Sequence, residues 1–343
     1  MRKRFLLLIS ISLLAMIIAL VGCGNSSKSE VPKKSKKATK VVLGDAGWDS
    51  LKFHNAVVGF IAKNGYNLEP EIMNGSTPIL MTGLGRGNLD VLTEIWTDNI
   101  VTYEEDIKSK KYLELGVNFD DNRQGFYVPR YVIEGDAKRG IKAVAPNLKT
   151  VEDLKQYSDI FVDEEVPSKG RIYGAIPGWE IDEILFAKYK YYGLDKNYNY
   201  FRPGSDATLS ASFMKAYQAG EPIVGYAWEP TWLLGKLDLV LLEDAPYNEE
   251  GFKRGETEIR SVRVTVGAST EFAKSNPDFC EFLAKYHTSS DITAKALAYI
   301  MDNKASYNDA AIHFIKTNED LVKEWMPNDK FAKVKKALAE SKS

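Results

Sequence analysis

The 343-residue chain holds two cysteines and three histidines, and that scarcity removes several kinds of chemistry at once. His54, His287 and His313 fall on separate helical stretches without metal-ligand spacing, and no GxSxG turn for a nucleophile occurs. The run Gly83-Leu84-Gly85-Arg86-Gly87 lacks both GxGxxG spacing and a preceding strand, so it reads as a helix end and turn. No catalytic constellation, cofactor or metal is expected. Composition is otherwise ordinary: 44% hydrophobic and 27% charged residues suit a globular protein, at a length that suits two domains.

The N-terminus differs from the rest. Arg2, Lys3 and Arg4 precede an apolar run from Phe5 to Val21, the layout of a secretory signal, although the run is also just long enough for a membrane anchor. The ending Leu20-Val21-Gly22-Cys23 resembles the lipobox of bacterial lipoproteins, which implies a signal peptide over 1–22 and lipid attachment at Cys23. Acylation leaves Cys280 alone, so no disulfide is expected; its helical PDFCEFL context makes it a buried apolar residue. Residues 23–40, rich in lysine and poor in large apolar residues, read as a disordered tether. The signal carries +3 and the tether +5, which leaves −10 on the part from Val41 onward in a chain of net charge −2. Such a body repels nucleic acid, whereas its basic tether suits an anionic membrane surface.

From Val41 short apolar runs alternate with helical patterns. VVLGDAGW, Leu68 to Met73 and DVLTEIW (Asp90–Trp96) read as strands, separated by a helix that Asp49 or Ser50 caps and a second that begins at Thr77-Pro78. A second block follows GFYVPRYVI: a strand at RIYGAI, a helix from about Ile181 to Tyr192, a helix from Leu209 to Gln218, and a strand at PIVGYAW. RSVRVTVGAS (Arg260–Ser269) returns the chain, and the remainder is helical. The expected fold is therefore α/β in two domains with a ligand cleft between them, 41–128 with 258–343 as one and 129–257 as the other. The chain crosses near Tyr127 to Ile133 and near Arg260 to Gly267, a linkage suited to hinge closure.

Four of six tryptophans share one kind of position. Trp48, Trp96, Trp179 and Trp228 each stand at or just beyond the C-terminal end of an expected parallel strand, the edge where open α/β sheets bind ligands. A lone tryptophan there is more often core, because so large an apolar surface favours burial. Four at equivalent positions, two of them after a turn glycine, are not explained that way; Trp232 and Trp325 remain packing candidates. Indole faces carry negative potential, so a box of them attracts a weakly hydrated cation, above all a quaternary ammonium. A sugar is the competing occupant, but the polar groups nearby are mainly carboxylates: Asp49, Glu94, Asp98, Glu180 and Glu229.

The stretches GWDS, DVLTEIWTDN, GAIPGWE and GYAWEPTWLLGKLDLVLLED resemble the substrate-binding proteins of ABC-type importers for glycine betaine, proline betaine and choline, over essentially all of Val41 to Leu338. The resemblance implies a periplasmic-binding-protein-like fold of type II and an aromatic cage of Trp96, Trp179 and Trp228, joined by Trp48 as in choline-binding members. It implies a lipid-anchored monomer on the extracytoplasmic face of the cell membrane that hands its ligand to an ABC permease and its ATPase. The family histidine that follows the strand tryptophan is absent from Trp96-Thr97-Asp98-Asn99-Ile100, which leaves choline, carnitine and other cations open beside glycine betaine. For the ligand's polar end the candidates are the amides of Glu180 and Ile181, which open a helix, and Arg130, which reads more readily as a surface arginine because charged side chains prefer solvent. Tyr127 is a further wall or hinge packing. The rival readings are a secreted, lipid-anchored enzyme acting on choline-like compounds and a binding protein for an amino acid or sugar.

Overall fold

The structure, a computed structural model, describes residues 39–341. The expected signal, Cys23 and nearly all of the expected tether lie outside the described residues; the first strand begins at Thr39, two residues inside the expected tether.

Two five-stranded sheets organise the molecule. The first is built from β1 (Thr39–Asp45), β2 (Leu68–Asn74), β3 (Val91–Trp96), β4 (Leu113–Phe119) and a late strand, β10 (Val264–Ala268), in the order β2-β1-β3-β10-β4. The second holds β5 (Gln124–Pro129), β6 (Gly170–Tyr173), β7 (Tyr198–Phe201), β8 (Gly225–Trp228) and β9 (Leu239–Leu241) in the order β7-β6-β8-β5-β9. In each sheet the strands joined through helices run parallel, since a parallel pair needs a crossover connection, and the strands that carry the chain between sheets run antiparallel.

The helices of the first half are α1 (Asp49–Tyr66), α2 (Thr77–Arg86), α3 (Tyr103–Lys108) and α4 (Arg130–Glu134). Then come α5 (Ile181–Tyr191), α6 (Asp206–Ala219), α7 (Trp232–Lys236) and α8 (Glu249–Lys253). The C-terminal run is α9 (Thr270–Ser275), α10 (Pro277–Lys285), α11 (Ser290–Asn303), α12 (Tyr307–Thr317), α13 (Glu319–Glu324) and α14 (Asn328–Glu340). Local sequence explains several ends. Pro78 occupies the first turn of α2, where its missing N–H costs nothing, and Gly87 closes that helix in the left-handed region at φ 74°, as the glycine-rich run suggested. Neither Asp49 nor Ser50 caps α1: the cap position is Trp48, and Asp49 sits in the first turn, where its charge favours the helix dipole.

The C-terminal helices fold back onto the first sheet's helices. Phe314 of α12 meets Phe53 of α1 edge to face at 5.3 Å, and Trp325 is buried against Tyr286 at 4.6 Å. Trp325 and Trp232 are thus packing residues, and Cys280 is buried and unpaired.

Where the chain passes between sheets differs from the sequence expectation at one end. GFYVP is β5, paired antiparallel with β8 and β9, so residues 124–129 already belong to the second sheet and the crossing is 120–123. The period of a short apolar strand does not reveal which sheet it joins. On the return, Lys188 of α5 donates to the Thr257 carbonyl at 2.6 Å, which ties that segment to the second lobe until just before β10.

Candidate functional site

All four tryptophans singled out by position reach one cavity at the junction of the lobes. Two come from the first sheet's edge. Trp48 follows β1 and Trp96 ends β3, and β1 and β3 are parallel. Trp228 ends β8, parallel to β6, and Trp179 follows β6 through the turn Ile176-Pro177-Gly178-Trp179. That turn has proline at its second position, glycine at φ 90° at its third, and the Trp179 amide bonded to the Ile176 carbonyl at 3.1 Å, the requirements of a type II turn.

The walls meet at right angles. Trp179 lies 5.2 Å from Trp48 at 86° and 5.1 Å from Trp228 at 90°, edge to face in both cases, a favourable aromatic geometry that also sets three indoles as the corner of a box. Tyr226, two residues before Trp228 on the same strand face, stacks on it at 5.3 Å and 15° and donates its hydroxyl to Gln124 Oε1. The space between the walls is about 40 Å³. On the same measure one water needs roughly 10–15 Å³, so the cavity accommodates a compact group.

Beneath the walls lies Glu94. Its Oε2 accepts from Trp48 Nε1 at 2.6 Å, from Trp96 Nε1 at 3.2 Å and from Ser50 Oγ at 3.2 Å. Burial pushes its carboxyl up to about 7 against the pull of those three donors. Oε1 has no hydrogen-bond partner and faces His54 Nε2 at 3.5 Å. Burial lowers His54 to about 3, so that ring is neutral. Among the described residues, no lysine, arginine or histidine side chain lines the cavity.

Two candidates for the polar end are placed at the cavity and one is not. The residues Glu180 and Ile181 line it where α5 opens, with first-turn amides that have no carbonyl a turn earlier to bond. Arg130 lies outside it, its Nε bonded to both oxygens of Asp238 at 3.0 and 3.1 Å and its Nη1 to Glu134 at 3.1 Å, which corrects its candidacy as a carboxylate partner. Tyr127 is also misplaced. Directly paired residues share a sheet face, and Phe126 opposite Tyr226 puts Tyr127 on the face turned from the cage. Its buried place was readable from the sequence, its side of the sheet was not.

Three lining residues were not singled out as ligand contacts: Glu94, Tyr226 and Asn99, whose buried Oδ1 has no partner. A signal existed for two of them, because Glu94 and Tyr226 each precede a cage tryptophan by two residues and so share its strand face. Glu229 does not line the cavity; it is paired with Arg123 at 2.8 Å beside the 120–123 crossing.

Two lobes of this topology with a closed, aromatic cleft define a two-domain solute-binding protein of the periplasmic-binding-protein type. Residues 39–317 match the family described as the substrate binding domain of ABC-type glycine betaine transport systems, and the chain belongs to that family. Its members are solute-binding components of ABC transporters. Among solved structures, the chain is similar to the glycine betaine/L-proline-binding protein ProX of Borrelia burgdorferi, at 20% identity and a TM-score of 0.68, covering 86% of this chain and 100% of that one. It is also similar to an ABC-transporter choline-binding protein in complex with choline (18% identity, TM-score 0.70, 88% and 98% covered). Lactococcal OpuAC, closed around glycine betaine, gives 20% identity and a TM-score of 0.66 over 84% of this chain and 100% of that one. A comparison with curated protein sequences finds no match.

Proposed function

We propose that the chain is the extracytoplasmic receptor of an ABC importer, that it closes two lobes on a quaternary ammonium compound, and that it releases the compound unchanged to the permease. Four indoles gathered at one cavity from the ends of parallel strands, three of them set at right angles, are the observation that carries this reading. Each ring face contributes roughly 0.5–2 kcal/mol to holding a desolvated cation, so the four together support micromolar binding. Trp48, Trp96, Trp179 and Trp228 take the ammonium head; the Glu180 and Ile181 amides and Asn99 face its polar end. The lobes are 39–119 with 264–341 and 124–258, with the crossings as hinges. Cys23 carries the lipid that keeps this monomer at the membrane, and no covalent chemistry occurs on the ligand.

Calorimetry and tryptophan fluorescence on the full chain with glycine betaine, choline, carnitine, sugars and amino acids test this reading. Micromolar binding confined to the quaternary ammonium compounds is expected. A response to sugars or common amino acids alone would sink it.

A further inference from the structure

We propose that Glu94 is the charge-selecting residue of this site: a carboxylate fixed beneath two cage walls that favours a ligand of net charge +1, a quaternary ammonium alcohol, over a zwitterionic betaine, and that couples binding to release of a proton. The proposal rests on the quaternary ammonium reading of the cavity and adds to it which member of the class is preferred and how pH regulates the site.

Glu94 is an unusual floor for an aromatic box. Three donors converge on Oε2, while the equally buried Oε1 is left without a hydrogen bond. A buried carboxylate is costly unless a positive charge meets it. None does. The nearest candidate, His54, is neutral, with Nδ1 2.6 Å from the Tyr286 hydroxyl and Nε2 3.5 Å from both Glu94 Oε1 and the Thr293 hydroxyl. The missing counter-charge is supplied by a cation in the cage.

The Glu180 and Ile181 amides donate to a hydroxyl or a carboxylate alike, and two further features favour the net cation. Asn99 lines the cavity with an unpaired, buried side-chain oxygen, which accepts from a ligand hydroxyl. Outside it, a groove that shares Asn99, Ile100 and Glu180 with the cavity is lined by Asp98, Glu104, Glu105, Glu183 and Glu249. Its two basic residues are already paired, Lys253 with Glu249 at 2.9 Å and Arg260 with Asp98 at 2.7 Å. A ligand entering along that groove crosses a negative field, which speeds a net cation and not a dipole.

Proton coupling follows from the groups around Glu94. Asp45 at the end of β1 disfavours its charge, His54 and Ser50 of α1 and the indoles of Trp48 and Trp96 face it directly, Tyr286 faces it through His54, and Glu180 shares its cavity from the other lobe. Burial lifts this carboxyl to about 7. A cation in the cage favours the ionised form, so binding below that pH expels a proton. Affinity for a net cation therefore rises with pH, by up to roughly tenfold per unit, and levels off above neutrality.

The test is calorimetry on the full chain with tetramethylammonium, choline and glycine betaine between pH 5.5 and 8, in buffers of differing ionisation enthalpy. The wild type is expected to bind choline at least tenfold more tightly than glycine betaine at pH 8, to weaken more than fivefold for choline by pH 5.5, and to release a proton on binding at the lower pH. Glu94→Gln keeps an oxygen for the indole N–H groups and removes the charge; it is expected to narrow the preference below threefold and to flatten the pH profile. The wild-type series stands without the variant should that variant not fold. Tighter binding of glycine betaine than of choline, or a pH-independent affinity for choline, overturns the role of Glu94 and leaves the cage reading intact. Failure of all three ligands to bind overturns the cage reading and this proposal with it.

Discussion

Trp179 donates its indole N–H to the carbonyl oxygen of Ala46 at 3.0 Å, and the two residues come from opposite lobes. A wall of the cage is therefore also a latch of the cleft. Two further bonds cross nearby: the Thr77 amide donates to the Gly178 carbonyl at 3.1 Å and the Asp49 amide to Asp206 Oδ2 at 3.3 Å. Ligand capture and lobe closure share the same side chain, so its aromatic face and its N–H should be separable by substitution.

Trp179→Phe removes the N–H and keeps a ring. Affinity for choline or glycine betaine is expected to fall by roughly three- to tenfold, the factor corresponding to ~0.5–1.5 kcal/mol for one hydrogen bond. Trp179→Ala loses the ring as well and should fall further, beyond tenfold. Titration calorimetry of both variants checks the order, with ligand-free melting curves as the control for folding.

Arg130→Ala is expected to leave affinity within about twofold of wild type. Its guanidinium is half-exposed and committed to Asp238 and Glu134 on the outer surface, a pairing worth under ~1 kcal/mol to stability. A tenfold loss of affinity in the same titration would return Arg130 to the site.

The contrast between Arg130 and the tryptophans shows what the sequence can and cannot convey. Trp48, Trp96, Trp179 and Trp228 were placed by a rule about strand ends that needs no partner: wherever the parallel strands lie, their C-terminal edge faces the cleft. Arg130 required knowing that Asp238, 108 residues later, lies within reach of it. Tyr127 failed for a related reason, since its face depends on the register of β5 against β8, and register is a property of two strands. Glu94 was legible and passed over: DVLTEIW alternates it with Trp96, but all six residues of β3 are buried, so polarity gave no sign of which face mattered.

Gly178→Ala is expected to impair closure more than folding. Gly178 sits at φ 90°, where an L-residue is strained by ~1–2 kcal/mol, and an added Cβ would stand 2.8 Å from the Ser76 Cβ of the facing lobe. The strain acts within one lobe, whereas the clash exists only when the lobes meet. Affinity should drop at least about tenfold, and Ser76→Gly in the same background should recover part of that loss without recovering the strain. Recovery of none would assign the whole effect to the turn.

Acid sensitivity is expected to originate far from the cage, at Asp163. Burial alone would raise this carboxyl, but hydrogen bonds from Arg171 at 2.6 Å, Asn199 at 2.7 Å and the amides of Glu165 and Val166 overcome it and hold it well below the usual carboxylate range. A group whose folded pKa is depressed binds its proton more readily in the unfolded chain. The stability it contributes is therefore complete above the ordinary aspartate value near 4 and is lost as pH falls below it. Asp163→Asn should lower stability at pH 7 by ~2 kcal/mol, since it leaves the largely buried Arg171 with only the exposed Glu165, 3.4 Å away, as counter-charge. The same substitution should flatten the stability profile between pH 4 and 2, because the group that took up the proton is gone. Denaturant melts of both proteins at pH 7, 4 and 3 measure the two effects together, and an equal loss at every pH would place the acid-sensitive group elsewhere.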